Sequence, residues 1–99
     1  MREKLLFIIN CYGTRSQEDV AIEEMAELQK AILKHRRNAV YKTRADVVEE
    51  IADVEIMIEQ LKIIYSCSKE VEIIKDHKIK RQIKRIEKKY NLKQPQNSV

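Results

Sequence analysis

Two short acidic clusters carry the densest chemical potential in the chain: Glu23-Glu24-Met25-Ala26-Glu27 and Glu49-Glu50-Ile51-Ala52-Asp53. They are copies of one pattern at an offset of 26 residues, and the likeness extends from Ala21/Val47 to Ile32/Ile58. At 100° per residue, Glu24 and Glu27 fall roughly 60° and 120° to one side of an apolar stripe, and Glu50 and Asp53 fall at the same angles beside a second stripe. Residues three apart on a helix lie about 5–6 Å apart at Cβ, so each pair can converge on one cation, and two antiparallel helices can bring four carboxylates together. All-oxygen anionic ligands suit Mg²⁺, which keeps part of its shell for water and phosphate, with Mn²⁺ as a substitute ion. No His/Cys cluster points to zinc. The plainer role of such residues is a solvated face, with Glu23, Glu24 and Glu27 paired to Lys30 and Lys34. Glu23 and Glu49 lie farther round their helices and fit that role best. Duplication at one angular position on two core-forming helices favours a metal site for Glu24, Glu27, Glu50 and Asp53.

Four helical segments would position these groups. The first spans about Arg2 to Tyr12 and is stopped by Gly13. After a connection at Thr14 and Arg15, Ser16 with Asp19 three residues later reads as a cap, opening a helix to about Arg37 with the stripe Ala21, Met25, Leu28 and Ile32. Thr43 with Asp46 repeats the signal and opens a third helix to about Tyr65, whose stripe is Val47, Ile51, Val54, Ile58, Leu61 and Tyr65. Val48, Ile56, Met57 and Ile63 make this helix apolar on most of its circumference, which predicts burial on several sides and a partner subunit. The fourth helix runs from about Lys69 to Tyr90, and a tail from Asn91 is expected to be frayed or disordered.

Composition agrees with an all-α chain. The 99 residues include one glycine and one proline, 43% are apolar and 36% charged, and the turn residues that hairpins need are nearly absent. One domain, residues 1–90, is expected, small enough that oligomerisation would cover surface it cannot bury alone. No apolar run reaches the ~20 residues of a membrane span, and Cys11 and Cys67 show no metal spacing, so the expectation is a cytoplasmic protein with reduced thiols and no membrane partner. The net charge of +4 is uneven, with ten Lys and Arg against four Asp and Glu from Lys69 onward. That basic segment could serve a polyphosphate or a nucleic acid. With one Phe, four Tyr and no Trp, there is no stacking platform, which argues against a nucleic-acid partner.

The pattern E-E-x-x-E followed by E-x-x-D on the next helix resembles the all-α nucleotide pyrophosphohydrolase superfamily, and short MazG-like proteins in particular. The likeness covers about residues 5 to 85 and includes Tyr12-Gly13, Gln17, Ile22 to Leu28 and Glu49 to Val54. It implies an antiparallel four-helix bundle-like fold that forms homodimers or homotetramers through its central helices. It also implies hydrolysis of a nucleoside triphosphate between the α and β phosphates, giving monophosphate and pyrophosphate. Glu24, Glu27, Glu50 and Asp53 would then hold Mg²⁺, Glu23 would bind metal or orient the attacking water, and Lys75, Lys78 and Arg81 would contact phosphate from a helix closing over the substrate. Gln17 would read a base edge or assist the helix start. Phosphoribosyl-ATP pyrophosphohydrolase and dUTPase-like specialists share this chemistry. A noncatalytic helical adaptor using the basic fourth helix is the reading from another class.

Overall fold

A computed structural model describes residues 1–93, and among these residues helix is the only regular secondary structure. The order is α1 (Arg2–Tyr12), α2 (Thr14–Arg37), α3 (Tyr41–Ile64) and α4 (Ser68–Tyr90). No helix among the described residues is long and apolar enough to cross a membrane. The chain divides into two compact units, Met1–Ser66 and Cys67–Val99. The disordered tail expected from Asn91 lies, from residue 94 on, outside the described residues.

In the first unit α2 packs chiefly on α3, and α1, through its buried Leu5 and Ile9, packs on both. Gly13 joins α1 to α2 with no intervening loop. Its N–H donates to the Ile9 carbonyl at 2.7 Å, and its own carbonyl accepts from Gln17 N–H at 3.1 Å. Its φ of 94° is a conformation that other residues reach only with strain. The cap expected at Ser16 is therefore not used. One glycine makes the whole junction, so Thr14 and Arg15 are already helical and Ser16 sits in the first turn.

The start of α3 differs from expectation for a related reason. Thr43 is not the residue before the helix but the third residue within it, and Val40 takes the flanking position. The Thr43 hydroxyl accepts from Val40 N–H at 3.0 Å, lies 2.8 Å from His35 Nδ1, and can donate to the carbonyl of Val40 at 2.9 Å or Asn38 at 3.3 Å. With the hydroxyl proton directed to a carbonyl, His35 Nδ1 is the donor in that pair. Thr43 is buried, so this hub ties the last turn of α2 to the first turn of α3. Thr43→Val keeps the shape and deletes three interactions, and it is expected to lower stability by about 1–2 kcal/mol. Urea unfolding monitored by circular dichroism measures this directly; an unchanged midpoint would show that the hub is incidental.

In the second unit α4 opens at Cys67 and closes at Asn91, which adopts the left-handed conformation at φ 53°. None of its residues is fully buried. Its exposed charges are partly internal pairs, Lys75 with Glu72 at 3.3 Å and Lys80 with Asp76 at 2.9 Å.

Candidate metal centre

The hydrogen bonds and carboxylate contacts between α2 and α3 fix their direction. The Tyr65 hydroxyl donates to Glu18 near the start of α2, Glu24 meets Glu50 and Asp53, and His35 near its end meets Thr43. Positions rise on one helix as they fall on the other, so the two run antiparallel.

Their inward faces are Gln17 and Ala21 on α2, and Thr43, Val54, Met57 and Gln60 on α3. Counting the half-buried residues with them, each face is turned by about 50–70° toward its acidic flank from the stripe expected from apolar spacing. Glu24 and Glu50, expected to border the core, consequently lie near mid-face. Met25, Ile32, Ile51 and Ile58, expected inside, are 38–43% exposed. On facing antiparallel helices an equal turn carries both flanks to the same side of the pair. The carboxylates therefore gather on one side and the displaced apolar residues on the other.

The result is a triad: Glu24, Glu50 and Asp53 each bring one carboxylate oxygen to within 4.8 Å of the other two, and all three residues are half-buried. Glu50 Oε2 is shut off from solvent and has no hydrogen-bond partner. An acceptor in that state carries an uncompensated desolvation cost. Burial pushes the Glu24 carboxyl above its usual range, and the nearby Asp53 and Glu50 charges push it the same way. An all-oxygen set that gathers negative charge at its own expense is suited to a hard divalent cation.

The remaining residues of the expected site are placed differently. By the antiparallel register Glu27 stands level with Glu50, but its carboxylate is exposed, lies 3.9 Å from Lys30 Nζ and is outside the triad. Glu23 is exposed on the same helix. Gln17 is buried two helical turns, about 10 Å, before Glu24. Lys75 is paired with Glu72, while Lys78 and Arg81 are exposed on α4.

A cleft of about 640 Å³ opens beside the triad, with Glu27, Asp46, Glu49 and Glu50 among its walls. Its volume lies within the range of small-molecule sites, roughly 300–1,000 Å³. Asp46 read from sequence only as part of a cap, and Glu49 only as an echo of Glu23. Their place in the cleft depends on the facing of two helices, to which local spacing is blind. No protein-family model, curated protein or solved structure matches this chain.

The raised Glu24 group gives a pH prediction. The folded carboxyl holds its proton to a higher pH than the unfolded one, whose ordinary value is 4.5. Between those two values the folded chain binds more protons, so this group's contribution to stability falls as pH rises through that window. Glu24→Gln removes the effect. In EDTA the variant is expected to melt above the wild type near pH 7, the gap closing toward pH 4.5. Melting curves of both proteins across that range test it, and a gap independent of pH would contradict the assignment.

Proposed function

We propose that the protein is a Mg²⁺-dependent nucleoside triphosphate pyrophosphohydrolase of the MazG-like kind, an all-α bundle that cleaves between the α and β phosphates. The observation that supports this most is the meeting of Glu24, Glu50 and Asp53, from two helices carrying one repeated motif, at a single point beside a cleft. The donor set fits Mg²⁺ in kind, and the orphaned Glu50 Oε2 is an acceptor that a cation would satisfy. In this reading Glu24, Glu50 and Asp53 hold the ion, Glu27 is the fourth carboxylate at the cleft, and Glu23 orients the attacking water. When bound, Mg²⁺ (or Mn²⁺) polarises phosphoryl oxygens and stabilises charge on the departing pyrophosphate. One water is consumed as the α–β bridging P–O bond breaks, so no side-chain nucleophile is needed.

The proposal includes a homodimer or homotetramer. Ile22, Met25, Ile32, Val48, Ile51 and Ile58 stand exposed on the side of the α2–α3 pair away from the carboxylates, a concentration of apolar surface that a partner subunit would cover. It also places the protein in the cytoplasm, where Cys11 and Cys67 would remain the free thiols they are here.

The test is to incubate the protein with canonical and modified nucleoside triphosphates and Mg²⁺, assaying pyrophosphate against orthophosphate. Pyrophosphate and monophosphate in equal amounts, lost on adding EDTA, are expected. Orthophosphate release, or no turnover of any nucleotide, would refute the reaction.

A further inference from the structure

Lys30, Lys34 and Arg37 follow one another at i, i+4 and i+7 on α2, and all three line the cleft that holds Glu50. An ordinary explanation is available for each. Cations near a helix C-terminus answer its dipole, and they can neutralise carboxylates across a groove. Of the three only Lys30 has a carboxylate partner, Glu27 of its own helix at 3.9 Å. The side chains of Lys34 and Arg37 enter no ion pair or hydrogen bond among the described residues.

The cleft is therefore mixed in charge and, apart from Lys30 with Glu27, its charges are not paired with one another. A free anion entering it would meet the carboxylates of Glu27, Asp46, Glu49 and Glu50, and a free cation would meet Lys34 and Arg37. A ligand that is itself a cation joined to an anion satisfies both walls at once. A polyphosphate chelating a divalent cation has that form, with the metal turned to the carboxylates and phosphate oxygens turned to the ammonium and guanidinium groups. Arg37 can engage phosphate through two parallel N–H donors, and Lys34 can do so as a point charge.

We infer that Lys34 and Arg37 are the phosphate contacts of this cleft, binding the β and γ phosphates of the metal-chelated substrate and holding the pyrophosphate product. The inference rests on the pyrophosphohydrolase reading. It places phosphate recognition on the carboxyl-terminal half of α2, within the same unit as the triad, in addition to any contacts made by Lys75, Lys78 and Arg81.

Calorimetric titration of inorganic pyrophosphate into the full-length protein at saturating Mg²⁺ tests it without turnover. The Lys34→Gln/Arg37→Gln protein, with helicity matched to wild type, is expected to bind pyrophosphate at least about tenfold more weakly. Arg2→Gln/Lys4→Gln, which removes the same charge from α1, is expected to stay within about twofold of wild type, as is usual for surface changes away from a ligand. Wild-type affinity in the Lys34/Arg37 variant, or no binding of pyrophosphate by the wild type, would overturn the inference. Pyrophosphate binding that depends on Lys34 and Arg37 in a protein that turns over no nucleotide would sustain it while removing the catalytic reading. Turnover by wild type alongside unchanged pyrophosphate affinity in the variant would do the reverse.

Discussion

Glu50→Gln and Asp53→Asn are each expected to lower Mg²⁺-dependent pyrophosphate release by about 10²–10³-fold or more, with helical content unchanged. The reasoning is electrostatic. Each substitution keeps the side chain's size but removes one of three negative charges converging within 4.8 Å. Metal stabilisation of developing phosphoryl charge is worth several kcal/mol, and each 1.36 kcal/mol is a factor of ten in rate. Glu50 should be the more sensitive of the two, because its Oε2 is buried without a partner and an amide placed there brings no negative charge to a cation. Stability should move the opposite way: without metal, losing a like charge relieves repulsion, so apo melting temperatures should hold or rise while protection by Mg²⁺ disappears. Glu27→Gln discriminates within the proposed quartet. Its carboxylate is exposed and beside Lys30, so a smaller loss is expected than at Glu50. Steady-state pyrophosphate release and Mg²⁺-dependent melting of the three variants measure all of this. Full activity in both Glu50→Gln and Asp53→Asn would remove the triad from the reaction.

The helices were legible in the sequence because apolar spacing and the single glycine mark them, but their rotation was not. Apolar residues on α3 occupy most of its circumference, so spacing alone cannot choose which arc faces α2. The chosen arc holds Thr43, Glu50, Met57 and Gln60, a more polar set than Ile51 and Ile58 on the arc left outside. Helix starts were misplaced for local reasons. Ser16 and Thr43 are good capping types, but Gly13 completes its turn in one residue, and Thr43 answers Val40 and His35 from inside the helix. Duplication made Glu24 and Glu50 visible as equivalent positions, and antiparallel facing turned that equivalence into proximity. The roles of Lys34 and Arg37 in the cleft, and of Asp46 and Glu49, depend on which flank each helix presents, a property of the pair and not of either segment.

Replacing two exposed isoleucines with acids, Ile51→Glu/Ile58→Glu, is expected to convert a self-associating protein into a monomer that still binds Mg²⁺. Both residues are about 40% exposed on the flank of α3 opposite the carboxylates, as Met25 and Ile32 are on α2. Full burial of such a side chain contributes about 1.5–3 kcal/mol. Association covers only the two-fifths of each that is exposed, so deleting two raises the dissociation constant by roughly 10–50-fold, before the cost of placing charge in an apolar contact is added. The same turn of α2 and α3 that gathers the triad exposes this surface, so the two features should be physically coupled in origin yet separable by mutation. Sedimentation velocity over a range of concentrations gives the association state, and Mg²⁺-dependent melting reports the triad in the same samples. Wild type that sediments as a monomer at high micromolar concentration would refute the interface. A variant that keeps the wild-type mass would place the contact elsewhere, and a monomeric variant that no longer responds to Mg²⁺ would mean that the carboxylate geometry depends on the partner subunit.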